Sequence, residues 1–279
     1  MVTNMSSRAL PIAVIGFSVV FFWALAFFAF AGSGSLTDPA EILTQGAQAT
    51  AEADSFHVAL SVNGTLTDPE SGKATSLDGV SVEGDVDVAG QAAHVTFALP
   101  MLFGMSGEAI VIGQDTYVLS SMTGDKWVHV QGKKDEEPAR ETPDPEEIAD
   151  KVSAFLATEG VTAEKMADEA CGDDTCYRLR VTVSAEAIAA QHGEMPDFGD
   201  MGGSFGGLMP EHAFAGPLVV DMLFQHDGLW LRQVSTSAAE EGSGDLTLNL
   251  ALSHYNESLD ISAPPADQVT EEGDFPLFQ

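Results

Sequence analysis

Residues 38–66, DPAEILTQGAQATAEADSFHVALSVNGTL, set a helix directly against a long strand. Asp38 is an N-cap residue type, and Pro39 suits the first helical position, where its missing N–H would have had no intrahelical acceptor. Ile42, Leu43, Gly46, Ala47, Ala49 and Thr50 follow at helical spacing. The stripe is narrow and made mostly of small residues, so this helix is expected to pack closely on its neighbour. From Ser55 the period changes to two. Phe56, Val58, Leu60 and Val62 point one way; His57, Ala59, Ser61 and Asn63 point the other.

The alternation then recurs. Val80, Val82, Val86 and Val88 share a face, with Glu83, Asp85 and Asp87 opposite. Val95, Phe97 and Leu99 follow, then GEAIVIGQ, DTYVLSS and KWVHVQ. Turn residues separate these pieces at short intervals, the pattern of an antiparallel meander with one wet face. Residues 132–145 are charged and proline-rich and read as a surface linker. Asp144-Pro145 repeats the helix-start signal, and Ile148, Ala149, Val152, Phe155 and Leu156 form an amphipathic stripe. Strand-like pieces return near 161–169 and 175–183, followed by a short helix over 184–191 with Ser184 as its cap. Residues 193–216 mix Gly, Met and Phe without a period and read as a loop, either a plain insertion or a lid. PLVVDMLFQ, GLWLRQVSTSA and DLTLNLALSHY supply three closing strands, and Leu246, Leu248, Leu250 and Leu252 alternate strictly.

Charge narrows the function classes. The chain has 279 residues, with 43 acidic against 11 basic side chains, and none of the acidic ones precedes Asp38. A surface this negative repels nucleic acid, whose binding rests on neutralising phosphate. It also resists lying on an anionic bilayer. Residues 9–31 carry no charge and reach about 34 Å as a helix, enough to cross a hydrocarbon core. Arg8 before this run and an acidic domain after it place residues 1–8 in the cytoplasm and the domain outside. Ala29-Phe30-Ala31 also supplies a small-x-small cleavage site, so an uncleaved anchor and a cleaved leader both fit. Phe30-Ala31-Gly32-Ser33 has the outline of a lipobox, but Ser33 stands where the lipid-bearing cysteine would be. Cys171 and Cys176, the only cysteines, frame CGDDTC between two strand-like stretches and fit a local disulfide in an oxidising compartment.

No catalytic constellation emerges. His57, His94, His129, His192, His212, His226 and His254 form no HExxH or similar ligand pair, and neither GxSxG nor a P-loop occurs. No metal, cofactor or catalytic residue is expected. Many strands with an apolar face and only two substantial helices to cover them suggest a sheet curved around an apolar cavity suited to acyl chains. The other arrangement has the helices filling that space solidly.

The order of these pieces resembles a known family. The helix and strand of residues 38–66 come first. DTYVLSSMTGDKWVHV (115–130), DPEEIADKVSAFLATEG (144–160) and CYRLRVTVSAEAIAA (176–190) follow, and LTLNLALSHYNESLDISAPPADQV (246–269) closes the series. Together they resemble the LppX/LprAFG-type envelope lipoproteins, whose fold is similar to the LolA/LolB lipoprotein carriers. The resemblance spans about residues 38–268. It implies an α+β domain, a strongly curved antiparallel half-barrel with helices on its concave face; residues 9–31, read above as a transmembrane anchor or a signal segment, and the linker 32–37 would precede it. It further implies a cavity for lipid or lipoglycan acyl chains, with an envelope transporter or acceptor protein as partner. The expected cavity residues are Phe56, Val58, Leu60, Val62, Val82, Val95, Phe97, Leu99, Leu248 and Leu250 on strands, or else the opposite strand face, since alternation gives the period and not the direction. Ile42, Val152, Phe155 and Leu156 would form the helical wall, and 269–279 would be a tail. A sensory or scaffold ectodomain of the same fold is the competing reading, with a hydrolase behind it.

Overall fold

The computed structural model describes residues 36–67, 74–101, 103–131, 145–191, 217–240 and 244–271. The apolar run 9–31, Ser33, the linker 132–144, the loop 193–216 and the chain beyond 271 lie outside them. Among the described residues no helix is long and apolar enough to cross a membrane.

Helix α1 (Pro39–Ala51) starts as its sequence dictates: the Asp38 carboxylate accepts from the Ala40 N–H at 2.9 Å, and proline occupies the first turn. Strand β1 (Ser55–Thr67) follows, with β2 (Ala74–Ser76), β3 (Val80–Asp87), β4 (Ala92–Leu99), β5 (Met105–Ile112), β6 (Asp115–Ser120) and β7 (Trp127–Gln131). Helix α2 (Pro145–Leu156) leads to β8 (Val161–Lys165), β9 (Glu169–Cys171) and β10 (Asp174–Val183). Helix α3 (Ala185–Gln191), β11 (Leu218–Gln225), β12 (Leu231–Glu240), β13 (Gly244–Ser253) and β14 (Val269–Glu271) complete the described elements. The stretch expected as one strand over 161–169 is divided. Residues 166–168 between β8 and β9 are not strand, and the Lys165 ammonium donates to the Asp168 carboxylate across them at 2.6 Å. Ser184 caps α3 as expected, its hydroxyl accepting from the Ala187 N–H.

The described strands form one open curved sheet, in the order β14-β7-β6-β5-β4-β3-β1-β13-β12-β11-β10-β8, with β2 beside β1 and β9 beside β10. Every described pairing is antiparallel except β14 with β7, where Val269–Glu271 runs parallel to Trp127–His129. Those three residues therefore extend the sheet where the sequence suggested tail. β1 is the hinge of the topology. It joins the β3–β7 meander to the strands that follow the linker through its pairing with β13, which sets Leu60 opposite Leu250 and Val62 opposite Leu248.

The helices pack on one face of this sheet. Their main core contains Ile42, Leu43, Ala47, Phe56, Val58, Val152, Leu179, Val181, Phe224, Leu231, Leu250 and Leu252. The close packing foreseen for α1 has a specific cause. A Cβ on Gly46 would lie 2.3 Å from the Phe224 ring and 3.1 Å from the Leu229 carbonyl oxygen. One turn on, the Thr50 hydroxyl donates to the Gly46 carbonyl and accepts from the Leu231 N–H, both at 2.9 Å, tying α1 to β12. Tyr255 is buried, stacks on Trp230 and donates to the Leu231 carbonyl. Cys171 and Cys176 are disulfide-bonded across the β9–β10 turn, with Cα atoms 5.9 Å apart.

The opposite face carries the charges. Arg180 grips Asp221 through Nε and Nη2 at 2.8 and 2.7 Å, and Arg178 adds contacts to Asp221 and Glu169. Hydrogen bonding from Arg180 outweighs partial burial and holds the Asp221 carboxyl below the usual carboxylate range. A depressed folded pKa gives stability that is present above the unfolded value and lost as pH falls through the folded one. Asp221→Asn is thus expected to cost about 1 kcal/mol at pH 7, after allowing for solvent screening. Its deficit relative to wild type should shrink as pH drops below about 4. Urea titrations of both proteins across pH 3–7 check this; a deficit independent of pH would mean that the carboxylate charge is not what stabilises.

Candidate functional site

Two lateral rows of partners define the helix-facing surface of the sheet. One runs Phe97–Val82–Leu60–Leu250–Val234–Met222–Leu179 across seven strands. The next runs Val80–Val62–Leu248–Thr236–Val220–Val181–Ala163. Directly opposed residues in antiparallel ladders share a face, so both rows point toward the helices. All ten strand residues singled out in the sequence lie on this surface. Val95 sits opposite Gly84, beside Val58, and Leu99 is two residues beyond Phe97.

Burial divides them. Phe56, Val58, Val82 and Leu250 are buried, as are Ile42 and Val152 from the helices. Leu60, Val62, Val95, Phe97, Leu99 and Leu248 are only half-buried, as are Phe155 and Leu156 at the end of α2. The helices thus seal the surface near the start of β1 and leave it less covered toward the end of β1. There a second small cluster gathers Leu77, Val80 and Leu246, with Val62, Leu99 and Met101 packed against it. Between the two clusters the sheet presents apolar side chains that keep part of their surface accessible. Such a strip offers dispersion and burial to an aliphatic ligand without hydrogen-bond direction.

Met222, Val234 and Val220 belong to the same surface and were not singled out from sequence. In LVVDMLFQ apolar residues fill both parities, which hides the direction of the face. Asp221, the one charge in that strand, marks the outer parity and was the available signal.

The outer surface brings together histidines that lie far apart in sequence. His57 Nδ1 is 2.8 Å from Asp85, His94 Nε2 is 3.2 Å from Glu108, and His129 Nε2 is 2.8 Å from Asp115. His57, Asp85 and His94 are successive cross-strand partners. No described carboxylate is shared between these three histidines, and His57 also has Glu83 at 3.7 Å from Nε2. Among the described residues no group of three His, Cys, Asp or Glu side chains converges on a point that could hold a metal ion.

The LppX_LprAFG lipoprotein family model matches residues 38–196. The chain belongs to this family. The matched part of the LppX_LprAFG domain ends before β11, β12 and β13. These three strands lie between β1 and β10, so the single sheet carries the domain past the matched residues. No curated protein matches the chain in sequence. Among solved structures it is similar to lipoprotein LppX from Mycobacterium tuberculosis, at 16% identity, 80% of this chain, 97% of that one and a TM-score of 0.46. LprF from Mycobacterium bovis matches at 16% identity, 82% and 98% coverage and a TM-score of 0.49. A LolA superfamily protein from Nitrosomonas europaea matches at 9% identity, 84% and 97% coverage and a TM-score of 0.25. Ser33, where the family resemblance places a lipobox cysteine, precedes the matched residues and lies outside those the structure describes.

Proposed function

We propose that this protein is an extracytoplasmic, membrane-anchored lipid-binding and lipid-transfer protein. The curved sheet acts as a half-barrel, and acyl chains lie between it and the helices. The observation that carries this reading is the half-buried apolar strip of Leu60, Val62, Val95, Phe97, Leu99 and Leu248, which the helices leave partly uncovered. Burial of each methylene there contributes about 0.8 kcal/mol, so chain length rather than headgroup chemistry would dominate affinity. No step requires bond making, and the domain acts by binding and release. The run 9–31 replaces the lipid as tether, leaving cargo exchange with an envelope transporter or acceptor protein to the domain. Phe155 and Leu156, half-buried at the end of α2, form the helical wall, and Ile42 and Val152 back it from the sealed core.

Native mass spectrometry and solvent extraction of the protein purified from its membrane test the cargo. A co-purified lipid, and uptake of a fluorescent fatty-acyl probe after delipidation, are the expected results. Absence of both would point instead to a sensory or scaffold ectodomain whose interior is packed solid.

A further inference from the structure

Pro100, Met101 and Phe103 form the turn between β4 and β5, closed by the Gly104 N–H donating to the Pro100 carbonyl at 2.9 Å. Phe103 is 101% exposed, so no part of its ring is covered. Its φ of 57° lies in the left-handed region, which disfavours a bulky side chain. An aromatic ring held in water on a disfavoured backbone gains nothing for the isolated fold. The turn after β6 lies at the same end: the Ser121 N–H donates to the Ser106 carbonyl, and Met122 there is 43% exposed. In a chain with 43 acidic residues, no charged residue occurs from Val95 through Gly107.

Position adds a direction. Met101 packs with Leu99 against Leu77, Val80 and Leu246, so the tip is continuous with the apolar strip of the sheet. The other pole receives the chain from the N-terminal segment. Leu36 is buried there, and its N–H donates to the Tyr177 hydroxyl at 3.2 Å, near the start of β10. Tyr177 pairs with Phe224 at the end of β11, and through β12 and β13 this is the sheet end where β1 begins. β4 runs from that end to Leu99, about 25 Å, where the Phe103 turn begins. The tip therefore lies at the end of the strands away from the tether.

We propose that Phe103, with Pro100, Met101 and Met122, is a docking tip for a lipid bilayer with neutral headgroups, distinct from the bilayer that holds the chain's own N-terminal run. The Phe103 turn itself carries no charge and enters the headgroup boundary, while the exposed Asp78 beside Pro100, and Asp125 and Lys126 after Met122, stay among the headgroups at its rim. The chain's net charge of −32 favours neutral over anionic headgroups. This rests on the anchored-carrier reading and adds the surface to which cargo would pass.

The described cysteines are both in the disulfide, so Phe103→Cys in the full chain gives a unique labelling position. That variant, labelled with the environment-sensitive fluorophore NBD, is reconstituted into phosphatidylcholine proteoliposomes. Added phosphatidylcholine vesicles should raise the label's emission at least twofold, and nitroxide lipid in those vesicles should quench it. Phosphatidylglycerol vesicles should give a smaller rise. Phe103→Asp should abolish capture of added vesicles while acyl-probe uptake stays as in wild type. Quenching only by nitroxide in the protein's own bilayer, a rise with protein concentration without vesicles, or normal vesicle capture by Phe103→Asp would each overturn the proposal. Tip insertion with no acyl-probe uptake by wild type would support the tip and defeat the cargo reading, so the two fail separately.

Discussion

Phe224→Ala is expected to lower the stability of the domain by about 3–5 kcal/mol, the range for deleting a fully buried aromatic ring. Phe224 has no accessible surface and fills the groove that Gly46 leaves on α1. The converse change tests the same contact. Gly46→Ala would gain about 1 kcal/mol of helix propensity, yet it drives a methyl to 2.3 Å from the Phe224 ring. The net should be a loss of about 1–3 kcal/mol, because the ring is enclosed and cannot withdraw. The two substitutions must couple. With Phe224 already shortened, Gly46→Ala should become neutral or stabilising. Urea denaturation of the four proteins measures the coupling. Additive losses would show that α1 does not rest on Phe224.

Leu248→Phe combined with Val62→Phe is expected to reduce acyl-probe uptake at least tenfold while leaving the thermal midpoint within a few degrees of wild type. The two residues are cross-strand partners on the half-buried strip, and enlarging them fills the space assigned to ligand without introducing a buried charge. Leu60→Asp is the harsher variant. An ionised carboxylate on that surface should abolish uptake and also destabilise the fold by about 1–3 kcal/mol. Comparing them separates loss of cargo space from loss of structure. Unchanged uptake by the double phenylalanine variant would move the ligand elsewhere or remove it.

The strand faces were legible because period-two alternation is a local property of the chain. Phe56, Val58, Leu60 and Val62 declare one side whatever pairs with them, and Leu246 through Leu252 do the same. Asp38-Pro39 was legible for a similar reason, since capping and the first turn involve neighbours only. β11 was legible as a strand but not in its orientation, because Val219 and Leu223 are apolar on the outer parity. The short β14 was not foreseen. Its three residues pair in parallel with β7, and such a pairing leaves no periodic trace over so short a length.

By itself the sequence determined the class of the protein: a charge-free run before a strongly acidic domain, a local cysteine pair, and strands with one apolar face beside two helices announced by Asp-Pro. Those features follow from composition and from contacts a few residues apart. Tertiary structure alone decided that β13 pairs with β1, which unites the two halves in one sheet. It also decided that Gly46 is the groove for Phe224, and that the helices seal Phe56 and Val58 while leaving Leu60, Val62 and Leu248 half-covered. The physical reason is common to all three. Burial and steric fit depend on which distant residues arrive at the same place, and alternation along one strand carries no record of its partners.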